Sequence, residues 1–97
     1  MITAIVLLHV DVHLIPETAT ALANIERVSE VYSVTGDWEL VVMVRVRSHE
    51  EIADVVTGEI AKVEGVTATH TMIAFRAYAS EDLDRLWGIG FEDAEGL

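Results

Sequence analysis

An internal repeat restricts the fold of this chain more than any other pattern. The segment ALANIERV at residues 21–28 aligns with EIAKVEGV at residues 59–66 after a shift of 38 positions. The matched pairs are Leu22 with Ile60, Ala23 with Ala61, Ile25 with Val63, Glu26 with Glu64 and Val28 with Val66. The same shift carries the first apolar stretch, at residues 3–10, onto the third apolar stretch, at residues 38–47. We therefore expect one strand–helix–strand unit, used twice.

Local patterns give the order strand, helix, strand, strand, helix, strand. The strands are expected at residues 3–10, 28–35, 38–47 and 66–78, and the helices from Pro16 to about Ile25 and from Ser48 to about Gly65. Ser48 and Glu51 have the spacing of a capping box. Gly58 costs a helix roughly 1 kcal/mol relative to alanine, so we expect a packing reason for it, such as close approach to the sheet. The doubled unit predicts an α+β, ferredoxin-like βαββαβ fold, a four-stranded antiparallel sheet with two helices on one face.

The third strand is apolar on both of its faces. Leu40, Val42, Val44 and Val46 share one face, and Val41 and Met43 point the other way. The helices can cover only one face of the sheet, and a soluble monomer rarely exposes so large an apolar surface. We therefore expect two copies to pack sheet against sheet as a homodimer, in the manner of the dimeric α/β barrels.

Composition excludes several classes of function. The 97 residues fit one domain, and 17 acidic against 6 basic residues give a net charge of −11. Binding to nucleic acid needs a basic surface, so we expect no direct contact with nucleic acid. There is no cysteine, which favours a cytoplasmic location. The apolar N-terminal stretch is too short to span a bilayer, so we expect no membrane contact.

The turn Gly36-Asp37-Trp38-Glu39 is the first candidate site. It offers backbone N–H groups and two carboxylates beside a predicted subunit junction. This set suits a zwitterion, whose ammonium needs an acceptor and whose carboxylate needs donors. Gly-Asp is also ordinary hairpin chemistry and Trp38 an ordinary strand residue. The residues alone leave both interpretations open.

A metal site is the second candidate. His9, Asp11 and His13 alternate along the end of the first strand and would share a face there. Polar residues are also common where a strand ends, so we predict no metal and keep these three only as candidates. No cofactor is predicted.

The rest of the chain carries no catalytic motif. Thr67, Thr69 and Thr71 are typical of an edge strand, and His70 between them is more often a surface or interface residue than a base. No paired carboxylates, Ser-His-Asp set or phosphate-binding loop is present. Residues 1–79 are predicted to form the domain, and residues 80–97 an acidic tail with a short helix around Leu83, Leu86 and Trp87.

Three segments resemble the effector-binding (RAM) domain of the Lrp/AsnC family of amino-acid-responsive regulators. They are VSEVYSVTGDWELVVMVRV, the helix start SHEE, and VEGVTATHTMIAF, and the resemblance covers nearly all of residues 2–78. Glu39 replaces the second aspartate of the family's Gly-Asp-aromatic-Asp turn, and Glu64 replaces a proline. The first departure repositions the carboxylate by one methylene group.

The resemblance implies a regulatory module rather than an enzyme. Such domains dimerise through their sheets, assemble into rings, commonly octamers, and bind small effectors, usually amino acids, between dimers. It implies an effector site at Gly36, Asp37, Trp38, Glu39, Met72, Ile73 and Ala74. It also implies a stand-alone domain without the helix-turn-helix, which modulates transcription through a full-length Lrp/AsnC regulator. The alternative is a small dimeric α/β-barrel enzyme, a monooxygenase or haem-degrading protein, in which His70 or His9 would serve.

Overall fold

The computed structural model describes residues 1–80, which form four strands and two α-helices. The elements are β1 Ile2–Val10, α1 Ile15–Ala23, β2 Val28–Ser33, β3 Leu40–Val46, α2 His49–Gly58 and β4 Val66–Ile73. Short 3₁₀ helices at Val12–Leu14 and Ile60–Lys62 precede α1 and follow α2. This order is the predicted doubled strand–helix–strand unit.

The strands form one antiparallel sheet in the order β2-β3-β1-β4. Ile5 of β1 lies opposite Met43 of β3 and Met72 of β4. The two strands of the hairpin, β2 and β3, are paired through a bulge near Ser29. The first strand of each repeat lies in the centre and the second at an edge, which is the ferredoxin-like arrangement predicted from the repeat.

Both helices cover the same face of the sheet. The alternate residues Ala4, Val6 and Leu8 of β1 are fully buried, and so are the matching residues of β3. They pack with Leu22 of α1 and with the apolar stripe of α2 in one core. The predicted periodicities of strand and helix therefore meet in a single apolar layer.

The second helix begins as predicted but ends earlier. The Ser48 hydroxyl accepts a hydrogen bond from the Glu51 N–H, and the Glu51 carboxylate accepts one from the Ser48 N–H, which completes the capping box. The α-helix ends at Gly58 rather than near Gly65, because the chain tightens into the 3₁₀ helix there. A Cβ on Gly58 would meet nothing within 4 Å, so the expected close approach to the sheet is wrong.

The other predicted boundaries shift by a few residues. α1 ends at Ala23 instead of Ile25, and β2 ends at Ser33 instead of Thr35. β3 begins at Leu40, because Trp38 and Glu39 belong to the turn. β4 ends at Ile73 instead of Tyr78, close to where its pairing with β1 ends. The predicted tail helix lies outside the described residues.

Gly65 fixes the connection into β4. Its φ is +102°, which L side chains rarely adopt, and a Cβ there would collide with the hydroxyl of Thr18. That hydroxyl is buried and donates to the carbonyl of Glu64 at 2.8 Å. The Asp11 N–H donates to the carbonyl of Gly65 at 2.8 Å. The β4 entry is thus attached to both α1 and the end of β1.

The second face of the sheet, which we call the open face, carries no helix from residues 1–80. Its centre consists of half-buried apolar side chains, Ile5, Leu7, Val41 and Met43. Met72 and Tyr32 extend it onto the edge strands and are 41% and 48% exposed. β4 is exposed on both faces, as its threonine-rich sequence predicts for an edge strand. The predicted two-faced apolar sheet is therefore present.

Candidate functional site

The turn between β2 and β3 is held at its base by backbone hydrogen bonds. The Val34 N–H donates to the carbonyl of Glu39 at 3.1 Å, and the Glu39 N–H donates to the carbonyl of Leu8 at 3.0 Å. Gly36 has a φ of +112° with open space around its Cα, so glycine is needed for backbone shape there and not for packing. The turn therefore stands beside the end of β1.

Glu39 attaches this turn to β1 through its side chain. Its Oε1 accepts a hydrogen bond from the Val10 N–H at 2.8 Å and lies 3.3 Å from Nδ1 of His9. The backbone N–H of Val10 lowers the pKa of the Glu39 carboxyl, and His9 lowers it further against the opposing effect of desolvation. One carboxylate oxygen is thus already occupied within the chain. Glu39 positions the turn, and this role was not apparent from the sequence.

Trp38 lies between two histidines on the open face. Its ring stacks on His9 with centroids 4.0 Å apart and planes inclined by 15°, and it meets His70 at 5.9 Å and 35°. His70 lies opposite Leu7 in the sheet, which places it on the same face. The sequence marked His9 as a metal candidate and His70 as a surface residue. Only the register of β1 with β4 shows that both belong to one aromatic cluster.

Asp37 is the free acceptor of the turn. It is exposed, and across residues 1–80 its carboxylate has no hydrogen-bond or ion-pair partner. The two acids of the turn therefore differ in role. Glu39 is engaged by the fold, and Asp37 remains available for a ligand cation.

The two halves of the predicted effector site lie apart within one chain. Glu39 is bonded to Leu8, whereas Met72 lies opposite Ile5 and the Ala74 N–H donates to the carbonyl of Thr3 at 2.9 Å. On β1, Leu8 is therefore three residues from Ile5 and five from Thr3, which corresponds to about 10–17 Å along the strand. Within one chain, Met72, Ile73 and Ala74 therefore lie towards the start of β1, whereas the turn lies beside its end.

Two of the three metal candidates have other roles in the structure. Asp11 caps the 3₁₀ helix by accepting from the His13 N–H at 2.9 Å, and His9 stacks on Trp38. β1 ends at Val10, so His13 does not continue the strand alternation. Among the described residues, no group of three or more His, Asp or Glu side chains is arranged to hold a metal ion.

Two cavities lie at the opposite end of the sheet and were not expected from the sequence. One, of about 340 Å³, lies between Met43, Arg45, Ala74 and Arg76. The other, of about 510 Å³, has Arg45, Arg47, Arg27 and Glu51 among its lining residues. Arg45 borders both. Its place after Val41 and Met43 in the alternation of β3 was the signal that could have identified it.

Comparison with known proteins gives the class of this chain. The family model of the Lrp/AsnC ligand binding domain matches residues 3–83. The chain is 34% identical over 77 residues to the HTH-type transcriptional regulator FL11 of Pyrococcus furiosus, covering 79% of this chain and 50% of FL11. It therefore spans about half the length of that relative. Neither helix in residues 1–80 is long and apolar enough to cross a membrane.

Solved structures agree with this class. TTHA0845 from Thermus thermophilus is 46% identical, with a TM-score of 0.78, and the match covers 82% of this chain and all of that one. The feast or famine regulatory protein of M. tuberculosis is 28% identical, with a TM-score of 0.68, over 84% of this chain and 54% of that one.

The family match defines a regulatory ligand-binding domain rather than an enzyme. The chain belongs to the Lrp/AsnC family.

Proposed function

We propose that this domain senses a small effector, an amino acid, and changes its assembly, or that of a partner regulator, in response. The observation that supports this best is that the two acids of the turn differ in their hydrogen-bond partners. Glu39 fixes the turn through Val10 and His9, while Asp37 is left without a partner in the described chain. A fixed turn with one free carboxylate is prepared to accept an ammonium group at little cost in ordering.

The surroundings of Asp37 suit the rest of an amino acid. Trp38 is half-buried and held by the histidine stack, so its indole forms a rigid apolar wall beside the turn. The solved M. tuberculosis protein is a complex with L-methionine, which supports an amino acid as the effector class here. In our proposal, the effector ammonium pairs with Asp37 and its side chain lies against Trp38.

The remaining contacts come from another copy of the chain. Met72, Ile73 and Ala74 are exposed, and within one subunit they lie towards the opposite end of β1 from the turn. We propose that dimers assemble into a ring, an octamer in its complete form, so that these residues meet the turn of a neighbour. Effector binding would then strengthen or weaken the contact between dimers.

The dimer itself is proposed to form through the open face. Its apolar centre is only half-buried in the single chain, and it continues onto the exposed Met72 and Tyr32. Packing a second sheet on this face would remove its apolar side chains from water, which is the main favourable term in association.

The route to transcription is part of the same proposal. With a net charge of −11 we propose no direct contact with nucleic acid, and instead association with a full-length Lrp/AsnC-type regulator in the cytoplasm. No membrane contact is proposed. A gel shift at low salt, where weak electrostatic binding is strongest, is expected to show no retarded band with this protein alone.

A ligand screen followed by titration tests the effector site. The twenty amino acids are first compared by thermal shift, and the best one is titrated by calorimetry into wild type and Asp37→Asn. Loss of a charge-assisted hydrogen bond predicts about ten- to hundredfold weaker binding. Asp54→Asn is the matched control, because Asp54 is an exposed acid on α2, away from the turn.

Folding and assembly must be checked on the same samples. Asp37 is exposed and unpartnered in the described chain, so Asp37→Asn is expected to melt at the wild-type temperature. If both variants bind the amino acid as wild type does, the effector site is elsewhere. If no amino acid binds or shifts the melting temperature, the proposed sensing role is wrong.

A further inference from the structure

The open face carries one positive and one negative side chain that are not paired with each other within the described chain. We propose that Arg45 of one copy pairs with Glu30 of the partner subunit across the sheet-to-sheet interface, and that this contact, formed twice, fixes how the two sheets align. The proposal rests on the homodimer proposed above. It adds the polar contact that sets the alignment of that dimer and its choice of partner.

Charged residues are rare in the sheet. The four strands contain a single acid, Glu30 in β2, and a single arginine or lysine, Arg45 in β3. The pairing of the strands puts both on the open face, because Glu30 lies opposite Met43 and Arg45 follows Met43 by two residues in β3. The apolar face that we propose as the dimer interface therefore carries one group of each sign.

Arg45 has no acceptor in its own described chain. It is half-buried, and its Nε and Nη1 are shielded from solvent without a hydrogen-bond partner within residues 1–80. Glu51 lines a cavity together with Arg45, but its carboxylate is already held by Arg27 and by two backbone N–H groups just before α2. A shielded guanidinium without an acceptor is costly, so the surface that covers the open face should bring one.

Glu30 is the complementary group. It is exposed, and its Oε2 accepts a hydrogen bond from the hydroxyl of Tyr32 at 2.5 Å. Tyr32 lies opposite Val41, so this bond holds the carboxylate on the open face. The other carboxylate oxygen has no partner in the described chain. Glu30 is thus a positioned acceptor that can receive a guanidinium at little cost in ordering.

Two-fold symmetry brings these two groups together. Arg45 and Glu30 are separated by one strand spacing and by two residues along the strand, which is about 8 Å in the plane of the sheet. A two-fold axis that lies between the two sheets, diagonal to the strands and midway between these residues, also passes close to Met43. It sets the apolar centres against each other and Arg45 of each copy opposite Glu30 of the partner subunit. The strands of the two sheets then cross near a right angle, which is one of the two common arrangements of packed sheets.

A pair of this kind suits an interface between identical copies, because each contact then occurs twice. Arg76 and the acids just beyond Ser80 are other charged groups that could take part at this end of the sheet. We commit to Glu30 because the register of β2 with β3 places it on the open face. A regulator that joins this domain through its own sheet would need the same two charges at matching positions.

Charge reversal in separate chains tests the pair. Arg45→Glu leaves two acids on the open face and Glu30→Arg leaves two arginines, so each variant alone should dimerise at least about tenfold more weakly than wild type. Mixed in equal amounts, the two variants restore both pairs, and heterodimers should form with about the wild-type affinity. Sedimentation over a dilution series measures the affinity, and native mass spectrometry distinguishes the heterodimer from the two homodimers.

Two reversals on the helical side of the sheet are the matched controls. Lys62→Glu in the 3₁₀ helix after α2 and Asp54→Arg on α2 change the net charge by the same amounts at exposed positions. They should leave the dimer unchanged, alone or mixed. Circular dichroism checks that every variant is folded. If a reversal prevents folding, Arg45→Gln and Glu30→Gln take its place: each should weaken the dimer, and both in one chain should weaken it no further than either alone.

Four results would overturn the proposal while leaving the dimer in place. The first is folded reversal variants that dimerise as wild type does, and the second is a mixture that forms no excess of heterodimer. The third is a dimer restored by both reversals in one chain but not by mixing, since the contact would then lie within one copy. The fourth is a heterodimer with Glu81→Arg instead of Glu30→Arg, because an acid beyond Ser80 would then be the acceptor. A wild-type chain that is monomeric at every concentration would refute the proposed interface itself.

Discussion

Gly65→Ala should be among the most damaging single-methyl additions to this domain. Two costs combine at this position. The φ of +102° is unfavourable for alanine, by about 1–2 kcal/mol for a left-handed residue. The new Cβ also collides with the hydroxyl of Thr18, a side chain only 1% exposed that donates to the carbonyl of Glu64. Displacing that hydroxyl leaves a buried polar group unpaired, at about 1–3 kcal/mol.

The sum is about 2–5 kcal/mol, a large fraction of the stability of a small domain. At about 4–8 °C per kcal/mol for a domain of this size, the melting temperature should fall by about 8–40 °C. Circular dichroism melts at one fixed protein concentration give the measurement, because association would make the melting temperature depend on concentration.

Alanine substitutions at two other glycines separate the backbone cost of Gly65→Ala from the cost of its collision with Thr18. Gly36 also has a positive φ, +112°, but nothing lies within 4 Å of its added Cβ, so Gly36→Ala should lose only the backbone part, about 1–2 kcal/mol. Gly58 ends α2 with open space around it, so Gly58→Ala should stabilise by about 0.4–1 kcal/mol.

A double-mutant cycle isolates the collision. Thr18→Ala removes the hydroxyl that the new methyl would strike, so Gly65→Ala should cost less in that background, by about 0.5–3 kcal/mol. If Gly65→Ala is no worse than Gly36→Ala, or if Thr18→Ala does not reduce its effect, the contact between Gly65 and Thr18 does not limit stability and the reasoning fails.

Three further changes test other parts of the structure. Met43→Asp places a charge at the centre of the open face and should give monomer or aggregate in light scattering, and a wild-type chain that is already monomeric would refute the proposed dimer. The pKa of the Glu39 carboxyl lies below its ordinary value of 4.5 in the folded chain, so its contribution is complete above that pH and is lost as the pH falls through the folded pKa. Glu39→Gln should therefore melt lower than wild type at about pH 7, with the gap closing as the pH falls below the ordinary carboxyl pKa of 4.5, and a gap that stays constant would contradict the Val10 contact. Ser48→Ala removes the cap of α2 and should cost about 0.5–2 kcal/mol in urea unfolding, while an unchanged midpoint would show that Glu51 alone caps the helix.

The elements of the fold follow from local patterns in the sequence. Side-chain alternation in β1 and β3, the Ser48 capping box and the turn at Gly36 each depend on residues close together in the chain, so they can be recognised without the structure. The internal repeat then predicts the pairing order, because two strand–helix–strand units combine into a sheet in few ways. The ends of helices and strands are less well encoded in the sequence. The helical pattern of α2 predicts an end near Gly65, but the α-helix ends at Gly58 and a 3₁₀ helix follows it.

The roles of individual polar residues were decided only by tertiary structure. The sequence marks Glu39 as a ligand acid and His9 as a metal candidate, but the register of β1 with β3 brings Glu39 to the N–H of Val10, and His9 beneath Trp38. The register of β1 with β4 places Met72 away from the turn, and Arg45 is without an acceptor in the described chain. Contacts of this kind join residues about 30 or more positions apart. Their distances depend on how the strands align, and no local periodicity encodes that alignment.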